Sequence, residues 1–337
     1  MSDGYRELIE SGSFPIADMA MKCEQVFSKH ERALVGISGG ADSDVMLDVC
    51  ERVRQVSPIE LIYDWDNTGI EYQATKRHLD YLEERYGVTI YRTRPERSIP
   101  TCAREFGQPF VSKMVSRHMG TLQQGGFEWE DKPFAILKLR YPTIAESTLK
   151  WWTNHYKSTH GAYSSYCIGK NKWLKEFVMS NPPWFRISNE CCNQTKKLPS
   201  ARNAREWNCD LKMVGVRKAE GGVRSLSDKC YLEHVGGENI SLYRPLFWLT
   251  NEDKATYDRM FGIVHSDCYT VWGFKRTGCV GCPYGRTVLD DLEIAERFEP
   301  KLVAAARNVF ADSYEYTRQF NEFKAERKAG DQMSLDI

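Results

Sequence analysis

The chain has 337 residues, with 46 basic and 46 acidic side chains and a formal net charge of zero. That length fits one large domain or two smaller ones, and 42% hydrophobic with 27% charged residues supplies a sizeable core and excludes global disorder. The neutral balance excludes the overall positive field of a non-specific nucleic-acid binder. No apolar run approaches the ~20 residues that span a bilayer, and the first residues do not read as a basic-then-apolar leader. A cytoplasmic chain without membrane contact is therefore expected.

In chain order, residues 17–31 read as a helix, 33–37 as a short apolar strand and 38–43 as a turn. Asp44 to Arg54 has helical period, with Val45, Met46, Val49 and Val53 on one face. A second strand at 59–63 precedes a helix from Tyr72 to Tyr86 that Gly87 closes. Val88 to Tyr91 is a third strand. This alternation predicts an α/β fold, a parallel sheet with helices on both faces. The rhythm then breaks, and residues 107–165, with Pro133, Pro142, Trp151 and Trp152, read as helix-rich. Residues 171–179 are helical and stop at Asn181-Pro182-Pro183. Strands are expected at 211–216 and 242–246. Thr250 and Asp253 form an acidic capping box before a helix to Met260, and 288–328 reads as two helices. The expected organisation is a nucleotide-binding α/β part at 1–106, a helical insertion at 107–180, a continuation of the α/β core with the cysteine site at 181–290, and C-terminal helices at 291–337.

Ser38-Gly39-Gly40-Ala41-Asp42-Ser43 follows the first strand and opens a helix. Adjacent glycines allow successive N–H groups to converge on an anion, and the helix N-terminus adds its dipole. The Ser38 and Ser43 hydroxyls can donate to phosphate, and Asp42 can hold Mg²⁺. There is no G-x-x-x-x-G-K-[ST], so this is not a Walker-type loop.

The six residues resemble the pyrophosphate-binding loop of PP-loop (adenine nucleotide alpha-hydrolase-like) enzymes, and are most similar to that of the phosphoadenosine phosphosulfate (PAPS) reductase superfamily. Asn67-Thr68-Gly69-Ile70-Glu71 resembles that family's Asp-Thr-Gly segment, with Asn67 where Asp is usual and Asp64 and Asp66 close by. Cys191-Cys192 with Lys196-Lys197 resembles the cluster segment of iron–sulfur sulfonucleotide reductases. Gly215-Val216-Arg217 with Arg224 resembles their Gly-x-Arg stretch, and Arg276-Thr277-Gly278-Cys279-Val280-Gly281-Cys282-Pro283 completes the set. The order is also similar to that of bacterial and phage-borne PAPS-reductase-like proteins and of the iron–sulfur component of DNA phosphorothioation systems. The resemblance implies a nucleotide site at residues 38–43 with Thr68, Gly69, Lys196, Lys197 and Arg276, and Asp42, Arg217 and Arg224 acting in catalysis.

Eleven cysteines, an odd number, do not read as a disulfide framework. Cys279 and Cys282 have the spacing that lets two thiolates reach one metal, and with Cys191 and Cys192 they make four. Spacing alone leaves structural zinc and a four-iron, four-sulfur cluster open, and the resemblance implies the cluster. Cys268 can replace one of the pair at 191–192 or leave an iron open. Cys23, Cys50, Cys102, Cys167, Cys209 and Cys230 read as packing residues.

Arg286 adds positive charge beside these segments, and Lys113 and Arg117 form another cationic cluster after Pro109. His118, His155, His160 and His265 read as surface or capping residues, and Trp151, Trp152 and Trp173 as core rings or base-stacking platforms. The implied partners are an adenine nucleotide (ATP or PAPS and its relative adenosine phosphosulfate), a nucleic-acid acceptor, and a protein donating sulfur or electrons. With ATP, adenylation of an acceptor would release pyrophosphate before sulfur transfer. With a sulfonucleotide, reduction is the alternative, but those reductases use a C-terminal cysteine and this sequence has none after Cys282. A nucleotide- or redox-sensing module without turnover is the third reading.

Overall fold

The structure is a computed structural model that describes residues 3–156, 163–164, 166–221, 224, 227–235 and 239–333. The chain divides into two compact units, one of residues 1–96 and 194–280, the other of residues 97–193 and 281–337.

The first unit is built on a six-stranded sheet in the order β3-β2-β1-β4-β6-β5. The strands are β1 (Arg32–Gly36), β2 (Glu60–Asp66), β3 (Ile90–Thr93), β4 (Leu211–Val214), β5 (Tyr231–Leu232) and β6 (Ser241–Tyr243). All neighbours are parallel except the edge pair, where β5 runs antiparallel to β6. Alternation along β1 explains its central place. Ala33 and Val35 enter a large core with residues of the helices Phe14–Phe27, Ala41–Val53, Gln73–Tyr86 and Asn251–Phe261. Leu34 points the other way, into a smaller cluster with Ala204, Cys209 and Ile240. A strand covered on both faces is what a parallel sheet requires. The expected α/β fold is therefore present. The helix Gln73–Tyr86 ends with Gly87 in the left-handed region, φ 63°, and Thr250 caps Asn251–Phe261 in a reciprocal box with Asp253. Among the described residues no helix is long and apolar enough to cross a membrane.

Sequence moves outward from β1 to β2 and β3 on one side, then returns to β4 on the other. The carboxyl ends of β1 and β4 thus flank a topological switch point, where open parallel sheets bind ligands.

The second unit is helical, with a core of Phe110, Trp151, Trp152, Phe177, Tyr316 and Phe320 among others. It draws on both the 107–180 stretch and the C-terminal helices. The Tyr316 ring lies 4.7 Å from Phe110 and 4.9 Å from Phe177, centre to centre, so the two stretches share one core. Ile99–Phe106 belongs here too, packed on Glu190–Cys192 and Pro300–Val309. The tail forms three helices, Val288–Glu296, Pro300–Val309 and Ala311–Met333, where the sequence predicts two. Pro300 starts a new helix because it cannot continue the previous one.

Trp151 and Trp152 are fully buried, which settles them as core rings rather than stacking platforms. His118 is not at the surface either. Its ring stacks on Trp151 at 4.9 Å and its Nδ1 lies 2.9 Å from Thr148 Oγ1. Burial, helped by the neighbouring Arg117 charge, lowers its pKa to about 4. His155 is exposed as expected, and His160 lies outside the described residues.

Candidate functional site

The turn that leaves β1 is held by its own serines. Ser43 Oγ donates to the Gly40 carbonyl at 2.7 Å, and the Gly40 N–H reaches Ser43 Oγ at 3.1 Å and Ser38 Oγ at 3.2 Å. Ser43 is buried, and its hydroxyl, which the sequence reading offers to phosphate, bonds within the turn. Gly39 has φ 66°, and a Cβ there would stand 2.5 Å from the Thr75 methyl. The N–H groups of Ser43 and Asp44 bond to the Gly40 carbonyl, and those of Ala41 and Asp42 begin the helix Ala41–Val53 with no carbonyl of their own helix to meet. Gly215, after β4, is also there for closeness: a Cβ would stand 3.0 Å from the Asp42 carbonyl oxygen.

Asp42 does not stand alone. Its Oδ1 accepts from Arg217 Nε at 2.9 Å, while the same guanidinium donates to the Thr250 carbonyl and to Asn251 Oδ1 at 3.0 Å. Burial raises the Asp42 pKa, and Arg217 pulls against it. Arg217, itself buried, ties the loop to the start of Asn251–Phe261. Arg224 pairs with Glu220, and Arg276, 74% exposed, lies 3.8 Å from the same carboxylate. Arg276 is therefore largely open, and Lys197 is exposed as well.

At the end of β2, Asp64 accepts from Thr93 Oγ1 at 2.6 Å and from Asn203 Nδ2 at 3.0 Å. Asp66 is different. Its Oδ1 is buried with no hydrogen-bond partner among the described residues, and burial followed by the nearby Asp64 raises its pKa to about 7. Asn67 Oδ1 accepts the Gly69 N–H at 3.2 Å, which turns the chain. Thr68 Oγ1 donates to the buried Glu71 at 2.8 Å, and Lys196 Nζ is 3.5 Å from that carboxylate.

The predicted cysteines are shared between the two units. Cys279 lies in the α/β unit, 3.5 Å from Glu71 Oε1 and 3.4 Å from Thr68 Oγ1, beside a backbone bond from Val280 to Ile70. Cys268 is fully buried in the same unit, 3.9 Å from the Thr75 hydroxyl. Cys191, Cys192 and Cys282 belong to the helical unit. There, burial raises the Tyr284 phenol against a lowering hydrogen bond from Ser116, and the charges of Cys191, Cys192 and Cys282 would raise it further. Cys191 and Cys192 end the short helix Glu190–Cys192, and a π-helical turn, Asn193–Lys197, follows directly. Such wide turns recur at functional sites. All eleven cysteines are free thiols. Among the described residues, no three Cys, His, Asp or Glu side chains converge closely enough to share one metal ion. Cys191, Cys192 and Cys282 still have the donor chemistry of a soft metal or an iron–sulfur cluster.

Sequence reasoning missed Tyr269, whose hydroxyl is 3.2 Å from where a Gly40 Cβ would stand. It sits on a four-residue helix, Asp267–Thr270, outside any motif. His265, read from the sequence as a surface or capping residue, instead pairs with the buried Asp44 directly after the loop. A lone histidine in sequence carries no sign of either partner.

No family model matches the chain, and no curated protein does. Among solved structures it is similar to phosphoadenylyl-sulfate (PAPS) reductase from Candida auris in complex with phosphate. The likeness covers 83% of this chain and 96% of that one at 12% identity, with a TM-score of 0.43. It is also similar to the U34-tRNA thiolase NcsA from Methanococcus maripaludis with its [4Fe-4S] cluster, over 90% of this chain and 79% of that one, at 15% identity and a TM-score of 0.39.

Proposed function

We propose that the chain is a PAPS-reductase-like PP-loop enzyme that binds the phosphates of an adenine nucleotide at residues 38–43 and takes part in sulfur transfer to an adenylated acceptor. The observation that carries this reading is the position of the Gly39-Gly40 turn, at the carboxyl end of β1 and the switch point of the sheet, opening directly into a helix. The Ala41 and Asp42 N–H groups would bind phosphate oxygens, with Arg276, Lys196 and Lys197 adding charge. Arg217 acts as a brace, holding Asp42 and the loop against Asn251–Phe261. Thr68 and Gly69 line the nucleotide side of the β2 turn, and Arg224 enters through its exchange between Glu220 and phosphate. In the ATP case Mg²⁺ would accompany the nucleotide. Asp66, with its unpartnered buried oxygen, and Asp42 are the carboxylates that would hold it.

Cys191, Cys192, Cys279 and Cys282 would hold an iron–sulfur cluster, with zinc as the alternative and Cys268 left to packing. The cluster would supply a soft iron site for sulfur. Anaerobically purified protein is expected to be coloured and to hold about four iron and four acid-labile sulfide per chain, lost in Cys191→Ser and Cys282→Ser. A colourless protein with about one zinc would contradict the cluster. For the reaction, pyrophosphate release from ATP that depends on a sulfur acceptor is expected. Release of sulfite from PAPS with thioredoxin, without pyrophosphate, would replace this reading by reduction. Nucleotide binding with neither product across candidate acceptors would favour a sensing module.

A further inference from the structure

The glycine turn is covered. Gly39 and Gly40 are both buried, Gly39 beneath Thr75 and Gly40 beneath Tyr269 and Thr277. The Tyr269 oxygen is the centre of the cover. It accepts the Thr277 N–H at 3.2 Å, exchanges a hydrogen bond with Thr277 Oγ1 at 3.2 Å, and receives a backbone hydrogen bond from Ala41. Two backbone N–H groups and a hydroxyl thus converge on one oxygen at the start of Ala41–Val53. That is the arrangement a phosphate oxygen would find.

We propose that the Tyr269 hydroxyl is a stand-in for phosphate on the loop, and that the arriving nucleotide displaces it. The inference rests on the nucleotide reading above and adds an internal competitor to that site. A neutral phenol is a weaker acceptor than a phosphate oxygen, whose hydrogen bonds are charge-assisted and about twice as strong. The exchange therefore runs toward the anion while keeping the N–H groups satisfied when no anion is present. The flanks of Tyr269 are anchored. Trp272 and Phe274 pack against Tyr72 at 5.2 and 5.8 Å, and the Phe274 N–H bonds to the Cys268 carbonyl at 2.9 Å. Displacement then requires the ring to turn, while its short helix stays in place.

The test is Tyr269→Phe in the full chain, titrated with inorganic pyrophosphate and with ATP. Removing the competing hydroxyl should tighten pyrophosphate binding about fivefold. Equal or weaker binding by a folded variant would overturn the proposal, weaker binding by showing that the hydroxyl helps to hold the phosphate. The wild type gives a second reading that needs no variant. Nitration of Tyr269 by tetranitromethane, located by peptide mass, should rise when pyrophosphate is added; unchanged or reduced nitration would overturn displacement. Wild type that binds neither pyrophosphate nor ATP would remove the nucleotide reading itself. Wild type that binds both, with Tyr269→Phe unchanged, would remove the displacement alone.

Discussion

Gly39→Ala is expected to abolish nucleotide binding while leaving the rest of the α/β unit folded. Two effects act together. A non-glycine residue at φ 66° costs about 1–2 kcal/mol, and the added Cβ would stand 2.5 Å from the methyl of Thr75. Thr75 is buried and β-branched, so it cannot swing away. The loop must move instead, and the Ala41 and Asp42 N–H groups would lose their alignment. Affinity for nucleotide or pyrophosphate should fall at least tenfold, about 1.4 kcal/mol. The double variant Gly39→Ala, Thr75→Ser removes the methyl and should recover part of the loss, with the backbone strain remaining. Calorimetric titration beside urea denaturation separates binding from stability.

Asp44→Ala should be the most destabilising single change near the loop, by about 3–5 kcal/mol, because it removes the fully buried carboxylate of a buried ion pair and leaves His265 with Asp258 alone. Asp44 is fully buried, with Oδ2 2.8 Å from His265 Nδ1 and 3.1 Å from His78 Nε2. His265 Nε2 also lies 3.3 Å from Asp258, which pairs with Lys254 at 2.6 Å. Burial works against the charged ring, but the hydrogen bonds to Asp258 and Asp44 outweigh it and raise the His265 pKa to about 9. Because the folded value lies above the unfolded one, this stabilisation is complete below about pH 6.5 and is lost as pH rises through about 9. Urea midpoints of the wild type should therefore fall between pH 7 and 10. Asp44→Asn should start lower and show a flatter profile over that range. An equal slope in both would show that His265 is not held charged by Asp44.

Much of the sheet was legible because its signals are local. Ala33, Leu34 and Val35 alternate between two apolar environments, Gly87 takes the one backbone region its neighbours avoid, and Thr250 and Asp253 cap each other three residues apart. The glycine turn was visible for the same reason. The division into units was not, because the chain passes between them three times, at 96/97, 193/194 and 280/281. No composition change marks those points. Phe110 and Tyr316 meet across two hundred residues of sequence, and aromatic rings look alike whether they fill one core or two. His118 and His265 show the same limit, since a histidine's partners decide whether it is buried neutral or buried charged. Ser43 and Arg217 also brace the loop, a contribution that appears only once Gly40 and Asp42 are placed beside them.

Equilibrium binding of ATP, PAPS and pyrophosphate to the full wild-type chain, in parallel with Gly39→Ala, decides whether residues 38–43 form a phosphate site. Saturable binding of one adenine nucleotide, competed by pyrophosphate and lost in a folded Gly39→Ala, is the predicted result. A folded wild type that binds none of the three, or a Gly39→Ala that binds as tightly as the wild type, would contradict it.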